Sequence, residues 1–76
     1  MAFITNRSLA IIRELLGNNK DLHHSIEAIV SGRNTVRDID LIFEELNYML
    51  EKKKYELSYT ALEDAREALQ ELRNIG

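Results

Sequence analysis

The chain contains no cysteine, so neither a disulfide nor a thiolate metal site is available to staple it. It contains no proline, and its glycines are Gly17, Gly32 and Gly76. With no residue that blocks a helix interior, the chain reads as helical throughout, punctuated by glycine. Long hydrophobic runs are missing too. The longest hold about four residues, as in Leu9-Ala10-Ile11-Ile12, against the roughly 20 that a membrane-spanning helix needs. The opening segment, MAFITNRSLAII, lacks a charged start followed by a long apolar stretch, so no signal peptide is expected. There is no glycine-rich phosphate loop, internal repeat or low-complexity tract. This composition is compatible with the cytoplasm, which is the expected location.

What is present is one short domain, residues 1–76, whose small core makes it marginal alone and open to stabilisation by pairing. Ten basic residues stand against 13 acidic ones, and they are unevenly spread. Residues 1–37 carry five basic and three acidic side chains, net +2; residues 38–76 carry five and ten, net −5. A nucleic-acid binder usually concentrates its basic residues on one face. Here the longest helical segments are acidic, which argues against nucleic acid as a partner.

Four helices are expected, at about 6–16, 20–31, 36–56 and 61–74. Thr5 caps the first, Ile4 and Leu9 stand at staple spacing, and Leu9, Ile12, Leu15 and Leu16 form its buried stripe. Gly17 ends it in a left-handed conformation. The second starts from Asn18 or Asn19, buries Leu22, Ile26, Ile29 and Val30, and closes at Gly32. Thr35 with Asp38 makes a capping box for the third, whose stripe is Ile39, Ile42, Phe43, Leu46, Met49, Leu50 and Leu57. Thr60-Ala61-Leu62-Glu63 is the expected box of the fourth, which buries Leu62, Ala65, Leu69 and Leu72. A single helix over 36–74 is the competing possibility. At about 100° per residue, however, it would turn Thr60, Glu63 and Glu67 inward, so a turn near Glu56–Tyr59 is preferred. The expected fold class is all-α: a small four-helix bundle with a long C-terminal helical hairpin.

The third helix carries a second pattern. Leu41, Tyr48 and Tyr55 are spaced seven apart, roughly opposite the Ile39/Leu46/Leu50 face, with Glu44 and Glu51 on one border and Glu45 and Lys52 on the other. If the helix sits centrally, other helices bury this strip. If not, the strip is either ordinary exposed surface or an aromatic contact patch with a charged rim. Lys52, Lys53 and Lys54 fan out in three directions near the negative helix end and make no phosphate groove.

Chemistry finds little footing. His23 and Glu27 at i, i+4 are half a metal site with no third ligand at a recognisable spacing. Asp38, Asp40, Glu44 and Glu45 suit a helix start better than a pocket that would tune their acidity. No cofactor, metal or small-molecule substrate is expected, and the chain is read as a non-enzyme. Ala28 and Gly32 have the spacing of a helix-turn-helix, but Glu27, Ser31, Arg33 and Asp38 stand where that motif wants apolar residues. The would-be reading helix TVRDIDLIFEEL is acidic. A small DNA-binding regulator would rely on Arg7, Arg13, Arg33 and Arg37.

The stretch LEKKKYEL, residues 50–57, resembles the enterocin-A type of bacteriocin immunity protein. That resemblance implies a small cytoplasmic antiparallel four-helix bundle that protects the producing cell; the chain is shorter than such proteins usually are. The leading expectation is a small helical module that binds a protein partner or forms a homodimer through Leu41, Tyr48 and Tyr55, rimmed by Glu44, Glu45, Glu51 and Lys52. Small modulators encoded by phages or mobile elements share this general character.

Overall fold

The computed structural model describes residues 4–75. Among the described residues there are four α-helices and no strand: α1 Asn6–Leu16, α2 His23–Ser31, α3 Val36–Lys53 and α4 Tyr59–Ile75, with a 3-10 turn at Lys20–Leu22 leading into α2. The fold is a small all-α bundle. α4 folds back to pack against α3 and α1, α1 also touches α3, and α2 lies against α3. The radius of gyration, 11.3 Å, matches the ~11 Å of a compact chain of this length, so the α3–α4 hairpin is closed rather than splayed.

α1, α3, α4 and the 3-10 turn that leads into α2 each start where a short polar side chain can serve a free first-turn amide; α2 itself follows Leu22 with no side-chain cap. Thr5 Oγ1 accepts from the Ser8 amide at 3.2 Å. The Asn19 side chain accepts from the Asp21 amide at 3.1 Å. Thr35 and Asp38 form the reciprocal box at the start of α3. The start of α4 differs from expectation. Ser58 Oγ accepts from the Ala61 amide at 3.1 Å, and Thr60 lies exposed inside the helix. The reversal is short: α3 ends at Lys53 rather than near Glu56, and the Glu56 amide donates to the Lys53 carbonyl at 2.9 Å. Leu57 then tucks against the core from the turn, and Ser58 is the first hydroxyl available to begin the next helix.

The helix ends divide in the same way. Gly32 has φ 75°, and the amides of Gly32 and Arg33 return to the carbonyls of Ile29 and Ala28, so the left-handed close of α2 is present. Gly17 is different: its φ of −60° is ordinary right-handed backbone. Glycine suits this position because a Cβ there would run into the Arg13 carbonyl.

The core is built on Ile12 and Leu16 of α1, Ile42 and Leu46 of α3, and Leu72 of α4, with Ile26 from α2. Fully buried leucines and isoleucines each contribute about 1.5–3 kcal/mol by leaving water. Ala65 and Ala68 are completely buried, and such small side chains let α4 approach its neighbours closely. Of the expected stripe residues, Leu9, Phe43, Met49, Leu57, Leu62 and Leu69 are half-buried and pack against the core. Ile11 is buried although outside the expected stripe, and Val30 is exposed because it turns past the single face that α2 lays on α3.

Two buried serines tie helices together. Ser8 Oγ on α1 donates to Glu71 of α4 at 2.7 Å, and the same carboxylate takes the Thr5 amide at 2.8 Å and the Thr5 hydroxyl at 3.2 Å. Ser25 Oγ on α2 donates to Asp38 of α3 at 2.9 Å. Asp38 also takes the Thr35 amide at 2.9 Å and the Thr35 hydroxyl at 3.2 Å. The Thr35 amide bond, then the Ser25 bond, hold the Asp38 carboxyl below its ordinary range.

Candidate protein-docking face

α3 turns Ile39, Ile42, Leu46 and Leu50 inward, so at about 100° per residue its opposite wall carries Leu41 and Tyr48. No helix covers that wall. Leu41 is 39% exposed and Tyr48 58% exposed. The arrangement in which α3 is central and buries both apolar strips is therefore overturned, because α1, α2 and α4 all gather on the other side. Tyr55, 89% exposed, belongs to the turn beyond Lys53 and is not a third layer of the helical strip. Tyr59 lies just across the turn as the first residue of α4 and is also exposed. A Thr60 cap would leave Tyr59 ahead of the helix, whereas the Ser58 cap makes Tyr59 an outward first-turn residue.

The charged rim falls into separate parts. Lys52 Nζ stands 5.8 Å from the centre of the Tyr48 ring, and Lys54 Nζ 5.4 Å from that of Tyr55, both within cation–π reach. Glu51 bonds Lys54 at 2.9 Å. The hydrogen bond and charge of Lys54 lower the Glu51 pKa, and Glu51 raises that of Lys54 in return. Glu51 is thus engaged with the turn. Glu44 is exposed, and Glu45 is half-buried beside a hollow shared with Leu15, Asn18 and Lys20 at the end of α1. Among the described residues neither Glu44 nor Glu45 takes part in an ion pair.

A second shallow groove runs between α3 and α4, lined by Val36, Ile39, Asp40, Phe43, Leu72 and Arg73. The Arg73 guanidinium lies 5.5 Å from the centre of the Phe43 ring and covers part of it. Val36, 69% exposed, stands three residues before Ile39 and seven before Phe43, so it prolongs that edge of the stripe at the start of α3.

Elsewhere the polar groups are occupied with one another. His23 Nε2 lies 3.0 Å from the Gly17 carbonyl, closing the α1–α2 connection, and Glu27 pairs with Arg13 at 3.2 Å. Among the described residues no group of three or more histidine, cysteine, aspartate or glutamate side chains is placed to hold a metal ion. Arg7 faces Asp64 of α4 at 3.9 Å, whereas Arg13 faces α2, so these two arginines flank α1 on different sides. Among the described residues no helix is long and apolar enough to cross a membrane. The stretch 50–57 straddles the end of α3, with Leu50 in the core and Tyr55 in solvent. No family model matches the chain, and no curated protein or solved structure matches it.

Proposed function

We propose that the chain is a non-catalytic protein-interaction module that docks through the outer wall of α3 and the adjoining turn. Leu41 and Tyr48 supply the apolar centre and Tyr55 extends it, with Glu44, Glu45, Glu51 and Lys52 as rim. One observation carries this reading: all three tyrosines are left in solvent, on the wall of α3 that no helix covers and at the turn beside it. Tyrosines carry large apolar area on a stiff side chain and anchor many protein contacts. A core that needed aromatic bulk would have drawn them in.

The test is Tyr48→Glu. Solution mass by light scattering over a wide concentration range, and capture of partners from lysate of the source cell, are compared with wild type. The docking reading expects a dimer or a captured partner to be lost while the thermal unfolding curve stays in place. Unchanged mass and unchanged capture would sink it.

A further inference from the structure

We infer that the occupant of the α3 wall is a basic amphipathic helix of another protein, rather than a second copy of this chain; the inference rests on the docking reading above. Its basis is the placement of two carboxylates. Leu41 and Tyr48 stand two turns apart, about 10.5 Å along the axis. Glu44 and Glu45 sit halfway between them, about 50° to either side of the line that joins them. The ridge is therefore straddled at its middle by a pair of acids. Among the described residues neither forms an ion pair, although Lys20 and Lys53 line the same hollow as Glu45, whereas Glu51, Glu27 and Asp64 are paired. The cations of the same wall, Arg37 and Lys52, lie beyond the two ends of the Leu41–Tyr48 segment, and Lys52 lies near the Tyr48 ring.

A helix laid along this ridge meets one acid on each flank. It is matched by apolar residues at i and i+7 with lysine or arginine at i+3 and i+4. The match holds for parallel and antiparallel directions, because both acids lie midway. A second copy carries the opposite pattern, since its own i+3 and i+4 are Glu44 and Glu45. An antiparallel pair that sets Leu41 on Tyr48 places Glu44 against Glu44 and Glu45 against Glu45. A parallel pair places Glu44 against Glu45. Sliding the antiparallel pair so that Tyr48 meets Tyr48 gains Glu45 against Lys52 but sets Glu44 against Glu51. Two-fold symmetry doubles the repulsions of the first two arrangements across a desolvated seam, and in the third it doubles attraction and repulsion alike, so no net charge attraction is gained.

The experiment uses two synthetic helical peptides with leucines seven apart. One has lysines at the two intermediate flank positions and the other has glutamates there. Each is titrated into the full chain while the amide resonances of Leu41 and Tyr48 are followed. The lysine peptide is expected to bind at those residues about tenfold more tightly than the glutamate peptide, the sum of two exposed charge pairs. The gap should narrow at high salt. The Glu44→Lys/Glu45→Lys protein should reverse the preference. Equal binding of both peptides at Leu41 and Tyr48, or tighter binding of the glutamate peptide, overturns the basic-helix inference and leaves the docking face standing. A wild-type dimer at micromolar concentration that Tyr48→Glu dissolves also overturns it, in favour of a second copy on the same face. If neither peptide moves either resonance and the chain stays monomeric, the inference and the docking reading fall together.

Discussion

Glu71 and Asp38 do the same chemistry in two parts of the molecule. Each carboxylate accepts the amide and the hydroxyl of a helix-capping threonine, and each takes the hydroxyl of a buried serine. Both lie at the positive end of a helix, where negative charge is favoured. They differ in where the acid comes from. Asp38 stands three residues after Thr35, in the first turn of the helix it caps, and reaches out to the neighbouring α2. Glu71 comes from another helix, 66 residues from Thr5. The Asp38 clamp forms with its own helix and then recruits Ser25. The Glu71 clamp exists only once α1 and α4 are docked, so its energy is tertiary. Local capping and long-range docking thus use one set of bonds, and only chain separation tells them apart.

That contrast is open to direct attack. The largest effect should follow Glu71→Ala, which leaves the fully buried Ser8 hydroxyl without its acceptor and removes two bonds from Thr5. The expected loss is about 2–3 kcal/mol in urea unfolding. In that background Ser8→Ala should cost clearly less than it does alone, which a double-mutant cycle measures. If the two substitutions simply add, the remote clamp is not one unit. Thr35→Ala strikes the local clamp and should cost about 1 kcal/mol, the usual worth of a cap. A loss as large as that of Glu71→Ala would mean that the Asp38 clamp also carries the docking of α2.

A smaller effect should appear in acid. The Asp38 pKa is lower in the folded chain than in the unfolded one, so below the ordinary carboxylate value the unfolded state binds more protons. Its contribution is complete above about pH 4 and is lost as pH falls through the lowered value. Stability against denaturant, measured over a pH series, should therefore fall less steeply in that acid window for Asp38→Asn. An unchanged slope would remove Asp38 from the account. The Glu51–Lys54 pair adds a similar acid loss through Glu51 and a second loss at alkaline pH, as pH rises from the ordinary lysine value through the raised value of Lys54. Smallest of all should be Tyr48→Glu, which touches neither clamp and should shift unfolding by less than about 0.5 kcal/mol. A larger loss would show that the open wall of α3 contributes to the fold.

The fold was legible wherever its cause is local. Thr5, Thr35 with Asp38, and Gly32 announce helix ends within three or four residues. The period of Ile39, Ile42, Leu46 and Leu50 orients α3 without reference to any neighbour. Ser8 and Ser25 were not legible as core, because a hydroxyl on an inward face reads as polar until its acceptor on another helix is known. The α3–α4 turn was misplaced by a few residues, since Ser58 and Thr60 both offer a plausible cap and the choice depends on how Leu57 reaches the core. The candidate face divides in the same way. Leu41, Tyr48, Glu44 and Glu45 follow from helical phase. Tyr55 does not share their helix, because α3 ends before it, and Tyr59 joins the exposed set only through the Ser58 start of α4.

The remote clamp also sets an order of events during synthesis. The amide of Thr5 and the hydroxyl of Ser8 leave the ribosome long before their acceptor. At about 5–20 residues per second, Glu71 is added roughly 3–13 s later. Throughout that interval α1 has its own Thr5 cap but no carboxylate at its start and no α4 to cover it. A nascent chain halted before residue 71 would therefore have only α3 to hold α1 and would leave the α4-facing side of α1 uncovered, a ready substrate for chaperones and proteases.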